Sequence, residues 1–480
     1  MTAPLLRVAE IALCERDVKL RMPFRFGAVT LTEAPQAFAR ARIEMADGNS
    51  GWGMAAELLA PKWFDKNLAL SNEDNFNQLR LALGIARDAY LGDARPRSAF
   101  GHFAAHYRAQ IEAGARRQLN PLVASYGPAL IDRAVLDALC RILGTSVYDA
   151  VRANLPGIAP ATLLPEFEGF DMDAFLAALR PAQSIAARHT VGLVDAITDA
   201  DSHEPVGDGL PETLEQVVTT YGQRYFKLKV GGKIDEDLER LAAIAAVLDR
   251  RSEPYCVSLD GNEQYESIEG VTDLWSRIQA DPRLARLAAS ILFIEQPINR
   301  KYAFARDVSA LSRRKPVIVD ESDADLDAFP RARALGYAGV SSKTCKGLYK
   351  SIINSARCAR WNVGQKEINY FMSAEDLTLQ AGIAVQQDLA LVNLLGITHV
   401  ERNGHHYVNG MAGLPQAEQA MFLAAHPDLY EMSHGAVRVR IHAGRMDIGS
   451  LACKGYAVAA EPDWNSMRNM TLPIEERSHG

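Results

Sequence analysis

Two textures of hydrophobic patterning divide the 480-residue chain. Up to about residue 160, apolar and polar positions alternate over 5–13, 17–21 and 36–45. That is the period of half-buried antiparallel strands. ADGNSGWG (46–53) supplies turn chemistry after the third of them. Residues 66–118, rich in Ala, Leu and Arg, predict helices, and LIDRAVLDALCRILG (130–144) spaces its apolar residues at helical intervals before stopping at Gly144. The Pro and Gly residues of NLPGIAPATLLPEFEGF mark a boundary near residue 160.

From about residue 189 short apolar strands alternate with amphipathic helices. The strands read HTVGLVDAIT, YFKLKV, YCVSLD, ILFIEQ, PVIVDE, AGVSSKT, EINYFM and ITHVERN. Between them lie segments such as IDEDLERLAAIAAVLDRR, where Ile234, Leu238, Leu241 and Ile244 line one face. Eight such repeats in about 220 residues predict an α/β fold of the TIM-like (β/α) barrel type. A doubly wound sheet is the runner-up, but no G-x-G-x-x-G opens a helix after the first strand. Alternation returns after about residue 410 in AVRVRIHAGRMDI, which reads as rejoining the N-terminal region.

Composition narrows the picture modestly. At 48% apolar and 23% charged residues, the chain reads as a soluble globular protein. A net charge of −7 argues against nucleic acid or an anionic membrane as the main partner, while leaving room for a local cationic pocket. No apolar run approaches bilayer length, and Arg7 and Glu10 come too early for a signal peptide. The six cysteines (14, 140, 256, 345, 358 and 453) form no C-x-x-C pair, so they read as reduced thiols in a cytoplasmic protein.

The position of the charges carries more. Almost every repeat ends in an ionisable side chain at the strand's C-terminus, where barrel enzymes place their active sites. In order these are Lys227 and Lys229, Asp260, Glu295, Asp320 and Lys343, at intervals of 31, 35, 25 and 23 residues from Lys229 onward. Each interval is about one βα unit, so the side chains are expected to converge on one mouth. Three carboxylates on successive strands repel one another unless a cation neutralises them. Their oxygen-only chemistry selects a hard ion, with Mg2+ as first choice. Asn262, two residues after Asp260, is placed to orient it, and adjacent Asp320 and Glu321 face opposite sides of the strand, so one of them is expected to ligate. Lys227 and Lys229 share a strand face, with Lys343 across the mouth. Mutual repulsion and a nearby cation are expected to lower each lysine pKa from about 10.4, toward a general base at neutral pH.

The set K-x-K, D-x-N, E-Q-P, D-E-S and a sixth-strand lysine, in this order, resembles the enolase superfamily in its muconate-lactonizing-enzyme-like (mandelate racemase/muconate lactonizing enzyme) subgroup. The resemblance implies a (β/α)7β barrel over residues 161–410, an α+β capping domain over 1–160, and a C-terminal segment, 411–480, returning to the cap. It implies Mg2+ held by Asp260, Glu295 and Asp320, with Lys229 and Lys343 as opposed bases and Lys227 beside the substrate carboxylate or tuning Lys229. The reaction implied is removal of the proton α to a carboxylate through a metal-stabilised enolate. Racemisation, epimerisation, elimination (dehydration) and cycloisomerisation all remain open. A small carboxylate substrate and a homo-oligomer are the partners implied.

Specificity in that family resides in capping loops, here RMPFRFGAVTL (21–31) and MAAELLAPKWFDK (54–66). Phe24, Arg25, Phe26, Lys62 and Trp63 are the candidates there, and glycines in both neighbourhoods suit a mobile lid. Glu375 and Asp376, after the seventh strand, either face the site or cap the next helix, and Glu401 is a candidate from the last strand. Adjacent His405 and His406 read as structural. Two rival readings are a Schiff-base lysine aldolase on the same barrel, trapped by borohydride and indifferent to chelator, and a barrel that binds metal without catalysis.

Overall fold

The structure, a computed structural model, describes residues 3–26, 29–202, 204–377 and 379–473. Alternation sets the N-terminal sheet. Strands β1 (Leu6–Phe26) and β2 (Val29–Met45) form a long antiparallel hairpin, and β3 (Ser50–Leu58) pairs with β2. The β1–β2 register slips between Val8 and Glu10 and again between Lys19 and Phe24. Such irregularities bend and twist a strand. The separate strands expected at 5–13 and 17–21 are therefore one bent strand, whose far end stacks Phe24 on Tyr407 of the second half of the chain at 4.3 Å.

Three helices back this sheet: α1 (Asn72–Gly92), α2 (Ala99–Arg116) and α3 (Pro121–Ile142). Each begins at a polar cap, where Ser71, Ser98 and Asn120 accept from the backbone N–H of Asp74, Gly101 and Val123. Helix α3 is buried along almost its whole length. It lies so close to β3 that a Cβ at Gly53 would fall 2.1 Å from the Ala138 nitrogen and 2.2 Å from the Ala134 oxygen. Glycine at 53 is what allows that approach.

Eight parallel strands follow: β4 (Ser184–Val191), β5 (Tyr225–Lys229), β6 (Cys256–Asp260), β7 (Ile291–Glu295), β8 (Val317–Val319), β9 (Gly339–Ser342), β10 (Phe371–Ala374) and β11 (His399–Glu401). Helical connections separate them, and the hydrogen-bonded order runs β10-β9-β8-β7-β6-β5-β4-β11. Along each strand the side chains divide by parity. Phe226, Leu228, Val257 and Leu259 join Leu238, Leu241 and Ile244 of the helix Ile234–Leu248 in one apolar core, as that helix's pattern predicts. Lys227, Lys229 and Asp260 take the other side.

Three expectations are corrected here. The first barrel strand starts at Ser184, ahead of HTVGLVDAIT, and carries the buried Arg188. Backbone closure of the barrel does not occur among the described residues: no ladder joins β10 to β11, which are only four and three residues long. The sheet is a curled, open parallel sheet. Side chains cross its seam, with Arg188 donating to the Ala374 carbonyl at 2.7 Å and the Asp376 N–H to Glu401 at 3.2 Å. Lastly, AVRVRIHAGRMDI does not rejoin the N-terminal sheet. Ala436–Val439 forms a hairpin with Tyr430–Ser433, and Arg445–Asp447 adds antiparallel to β4. It is Arg468–Asn469 that returns to β1, opposite Glu15 and Cys14. Among the described residues no helix is long and apolar enough to cross a membrane, and the six cysteines are free thiols.

Candidate active site

Strand register assembles the charged ring. Lys229 pairs with Asp260 across β5 and β6, and Asp260 pairs with Glu295 across β6 and β7, so the three lie side by side at one end of the sheet. Asp320 follows β8 directly, Lys343 follows β9 and Glu375 follows β10. Asp260, Glu295, Asp320, Glu321 and Glu375 are all buried, as are Lys227, Lys229 and Lys343.

Buried charge of this density has to be paired. The Lys227 ammonium sits among four carboxylates: Asp260 at 2.8 Å, Glu295 at 3.0 Å, Glu375 at 2.8 Å and Glu401 at 3.0 Å. Lys229 lies 2.6 Å from Asp260, and Lys343 lies 2.9 Å from Asp320. Asp320 also meets Lys346 at 2.8 Å and accepts from the Ser341 hydroxyl. Burial works against the Lys227 ammonium, but the four carboxylates outweigh it and hold its pKa well above the ordinary lysine range. The same balance, with Asp320 as the chief favourable partner, raises Lys343. The expectation of depressed pKa values is thus reversed at these two lysines. It counted a metal and neighbouring lysines, but not Glu375 and Glu401.

Two oxygens in the ring stay unsatisfied. Glu295 Oε2 and Glu321 Oε2 are buried without a hydrogen-bond partner. Burial raises the Glu295 carboxyl well above its usual range, with Glu375 adding to the effect, and burial also raises Glu321. Orphaned carboxylate oxygens in an all-oxygen donor set fit a hard divalent cation. With lysines between them, Asp260, Glu295 and Asp320 do not bring three oxygens within 4.8 Å of one another in this arrangement.

Above the ring is a narrow cleft. Lys227, Lys229, Asn262, Asp320, Lys343, Asp376 and Glu401 form its polar floor and side. Phe24, Leu31, Leu58, Ala60, Trp63, Leu377 and Leu379 form an apolar roof. Trp63 lies over two of the floor's cations, its ring centre 5.1 Å from Lys343 Nζ and 5.9 Å from Lys346 Nζ. The segment bearing Trp63 is clamped from below. Arg300 donates to the Trp63 and Phe64 carbonyls at 2.8 and 2.9 Å, while Lys66 reaches Glu263 at 2.6 Å and the Asn262 carbonyl at 2.7 Å.

Residues 209–417 match the family model described as enolase C-terminal domain-like. That segment is thus similar to the C-terminal domain of the enolase superfamily. Solved structures share the fold across nearly the whole chain. A muconate lactonizing enzyme from Mycobacterium smegmatis, complexed with muconolactone, aligns at 17% identity and TM-score 0.60 over 95% of this chain and 98% of its own. A dipeptide epimerase from Methylococcus capsulatus, complexed with Mg and the dipeptide L-Arg-D-Lys, aligns at 18% identity and TM-score 0.54 over 92% and 99%. A Bradyrhizobium enolase complexed with magnesium and mandelic acid aligns at 14% identity and TM-score 0.57 over 96% and 97%. No curated protein sequence matches the chain.

Within this fold the residues singled out from sequence separate into groups. Lys227, Lys229, Asn262, Asp320, Lys343, Asp376, Phe24 and Trp63 line the one cleft, with Asp260, Glu295 and Glu375 bonded to its lysines. Asn262 accepts from Lys229 and donates to Glu321 at 3.2 Å. Asp376 is bound by Arg402 at 2.8 Å and by the Asn403 N–H at 2.9 Å. Arg25 is exposed and Lys62 turns into its own loop, reaching the Asn67 carbonyl at 3.1 Å, so neither joins the cleft. The Phe26 side chain, with Gly27 and Ala28, lies outside the described residues. His405 and His406 are buried beside His189. Sequence reasoning missed Arg188, which binds Glu375 beneath the ring, and Thr190, which donates to Glu401. A lone Arg in an apolar strand, SIAARHTV, is the signal that stood there to be read.

Proposed function

We propose that this chain is a Mg2+-dependent enzyme that removes the proton α to the carboxylate of a small carboxylic acid. The outcome is racemisation or epimerisation, elimination, or cycloisomerisation. One observation carries the reading: Lys229, at the end of β5, and Lys343, just beyond β9, line the same cleft with three carboxylate-bearing strands between them. Asp260, Glu295 and Asp320 are the proposed metal ligands, and the orphaned Glu295 oxygen supports that assignment. When bound, Mg2+ supplies Lewis-acid stabilisation of the negative charge that develops beside the carboxylate.

The chain's own residues do the rest. Lys229 Nζ, in its neutral form, takes the α-proton. Lys343, held as an ammonium by Asp320, returns a proton from the other side or steadies negative charge as a group departs. Lys227 holds Glu295, Glu375 and Glu401 in place and offsets part of their charge. The apolar roof excludes water above the reacting carbon and favours an acid with an apolar body. Among the described residues, Asp376 and Glu401 are the anionic groups lining the cleft that are not proposed ligands.

The test is a screen of carboxylic acids in D2O, following α-proton exchange by NMR with and without chelator. Exchange that requires Mg2+ and disappears in Lys229→Ala is expected. Full exchange with a true substrate in both Lys229→Ala and Lys343→Ala would sink the assignment. Borohydride trapping together with indifference to chelator would point instead to Schiff-base chemistry.

A further inference from the structure

A second cluster with metal-binding chemistry lies far from the barrel in sequence, on the helices behind the N-terminal sheet. Asp93, the cap residue ending α1, meets His102 and His106 of α2. Each offers one ligand atom, and the three atoms lie within 4.8 Å of one another. His102 and His106 are one helical turn apart, so their rings stack on one face at 6.3 Å between centres.

The bonding around the rings points outward to a ligand. His102 is fully buried, and its Nε2 is 3.0 Å from the Leu6 carbonyl. A proton on Nε2 satisfies that carbonyl and leaves Nδ1 as a lone pair, and Nδ1 is buried with no partner. A backbone carbonyl fixing one ring nitrogen is how metal-binding histidines are commonly oriented. His106 Nε2 lies 3.2 Å from Asp93 Oδ2, yet is poorly aligned for a hydrogen bond and has no other partner. Burial lowers both histidine pKa values, so both rings are neutral, the form that coordinates. Asp93 is an anion here: burial works to raise its pKa, and Arg97 and Arg95 overcome that.

We infer that Asp93, His102 and His106 form a binding site for a borderline divalent cation, Zn2+ or its stand-in Co2+, separate from the barrel's oxygen ring. Two imidazoles and one carboxylate suit that class, with water completing a tetrahedron. Arg97, 2.7 Å from Asp93 Oδ2, competes for the carboxylate and yields one oxygen to the ion. Arg97 also exchanges both backbone bonds with Leu6, so an ion here ties α1, α2 and the start of β1 together.

The experiment uses the full chain, stripped with chelator and then saturated with Mg2+ so that oxygen sites are filled. Titration with Co2+ is expected to give one equivalent of intense visible absorption typical of tetrahedral nitrogen ligation. His106→Gln, at a half-buried position, should weaken that binding at least about tenfold, and Asp93→Asn should also weaken it. Glu295→Gln should leave the spectrum unchanged. Zn2+ should raise the Tm of the wild type and not of His106→Gln. Absence of the band, or a band that survives in folded His106→Gln and Asp93→Asn alike, overturns the inference.

Discussion

The floor and the roof of the cleft are built on opposite principles. The floor comes from strand ends of the curled sheet, and its charged side chains are held by one another: Lys227 alone contacts four carboxylates. The roof comes largely from the N-terminal sheet and the segment after β3, and its contribution is Phe24, Leu31, Leu58 and Trp63. Coulombic pairing of the floor's kind is strongly interdependent, because removing one member leaves another buried and uncompensated. Apolar contact is nearly additive and non-directional. The floor is therefore suited to fixed chemistry and the roof to variable fit.

Variants should separate the two. Lys229→Ala and Lys343→Ala are each expected to lower kcat by about 10²–10⁴-fold, the range for loss of a positioned acid or base. Steady-state kinetics on a substrate found by the exchange screen checks this, and unchanged kcat in either would place that lysine outside the chemistry. Arg188→Met comes next. It strips Glu375 of one of its two cations, and a cost of about 3–5 kcal/mol in urea unfolding is expected. A much smaller loss in the double variant with Glu375→Gln would show that the charge, and not the packing, is responsible.

The roof should respond more gently. Trp63→Ala is expected to raise KM about 10-fold while kcat changes little, the signature of lost uniform binding. A fall in kcat as large as that of the lysine variants would erase the distinction between floor and roof. A further effect, on stability alone, comes from outside both. Burial pushes the His426 pKa down to about 4, with Asp428 opposing. The unfolded chain takes up that proton first as pH falls, so this stability is whole above about pH 6.5 and lost toward pH 4. Tm measured across that window should slope less in His426→Gln, equally in wild-type and Trp63→Ala backgrounds.

Much of the floor was legible because its charges recur at βα spacing. Lys229, Asp260, Glu295, Asp320 and Lys343 each end or directly follow a parallel strand, and register does the rest. Arg188 was missed: a lone arginine in an apolar strand signals burial, but it has no spacing to say what it meets. The direction of the lysine pKa values was misjudged for a related reason. Glu375 and Glu401 lie just past β10 and at the end of β11, two short strands at the open seam, where periodicity says little about what faces inward. The N-terminal strands were visible by alternation, but the bend that joins 5–13 to 17–21 depends on register slips that only the partner strand reveals. In the roof, Phe24 and Trp63 were separable from Arg25 and Lys62 only once the backbone had turned each side chain inward or out.

The clamp beneath Trp63 bears on recognition. Arg300 and Lys66 fasten residues 63–66 to Glu263 and Asn262 of the parallel sheet's loops. The glycines of the capping loops suit a mobile lid, whereas residues 63–66 are tied down by these bonds. An incoming acid meets the indole as a ready-made wall, and the entropy of ordering that loop does not count against its affinity. Discrimination there is a matter of shape at first contact, in which an ill-fitting acid is turned away before any loop has to move.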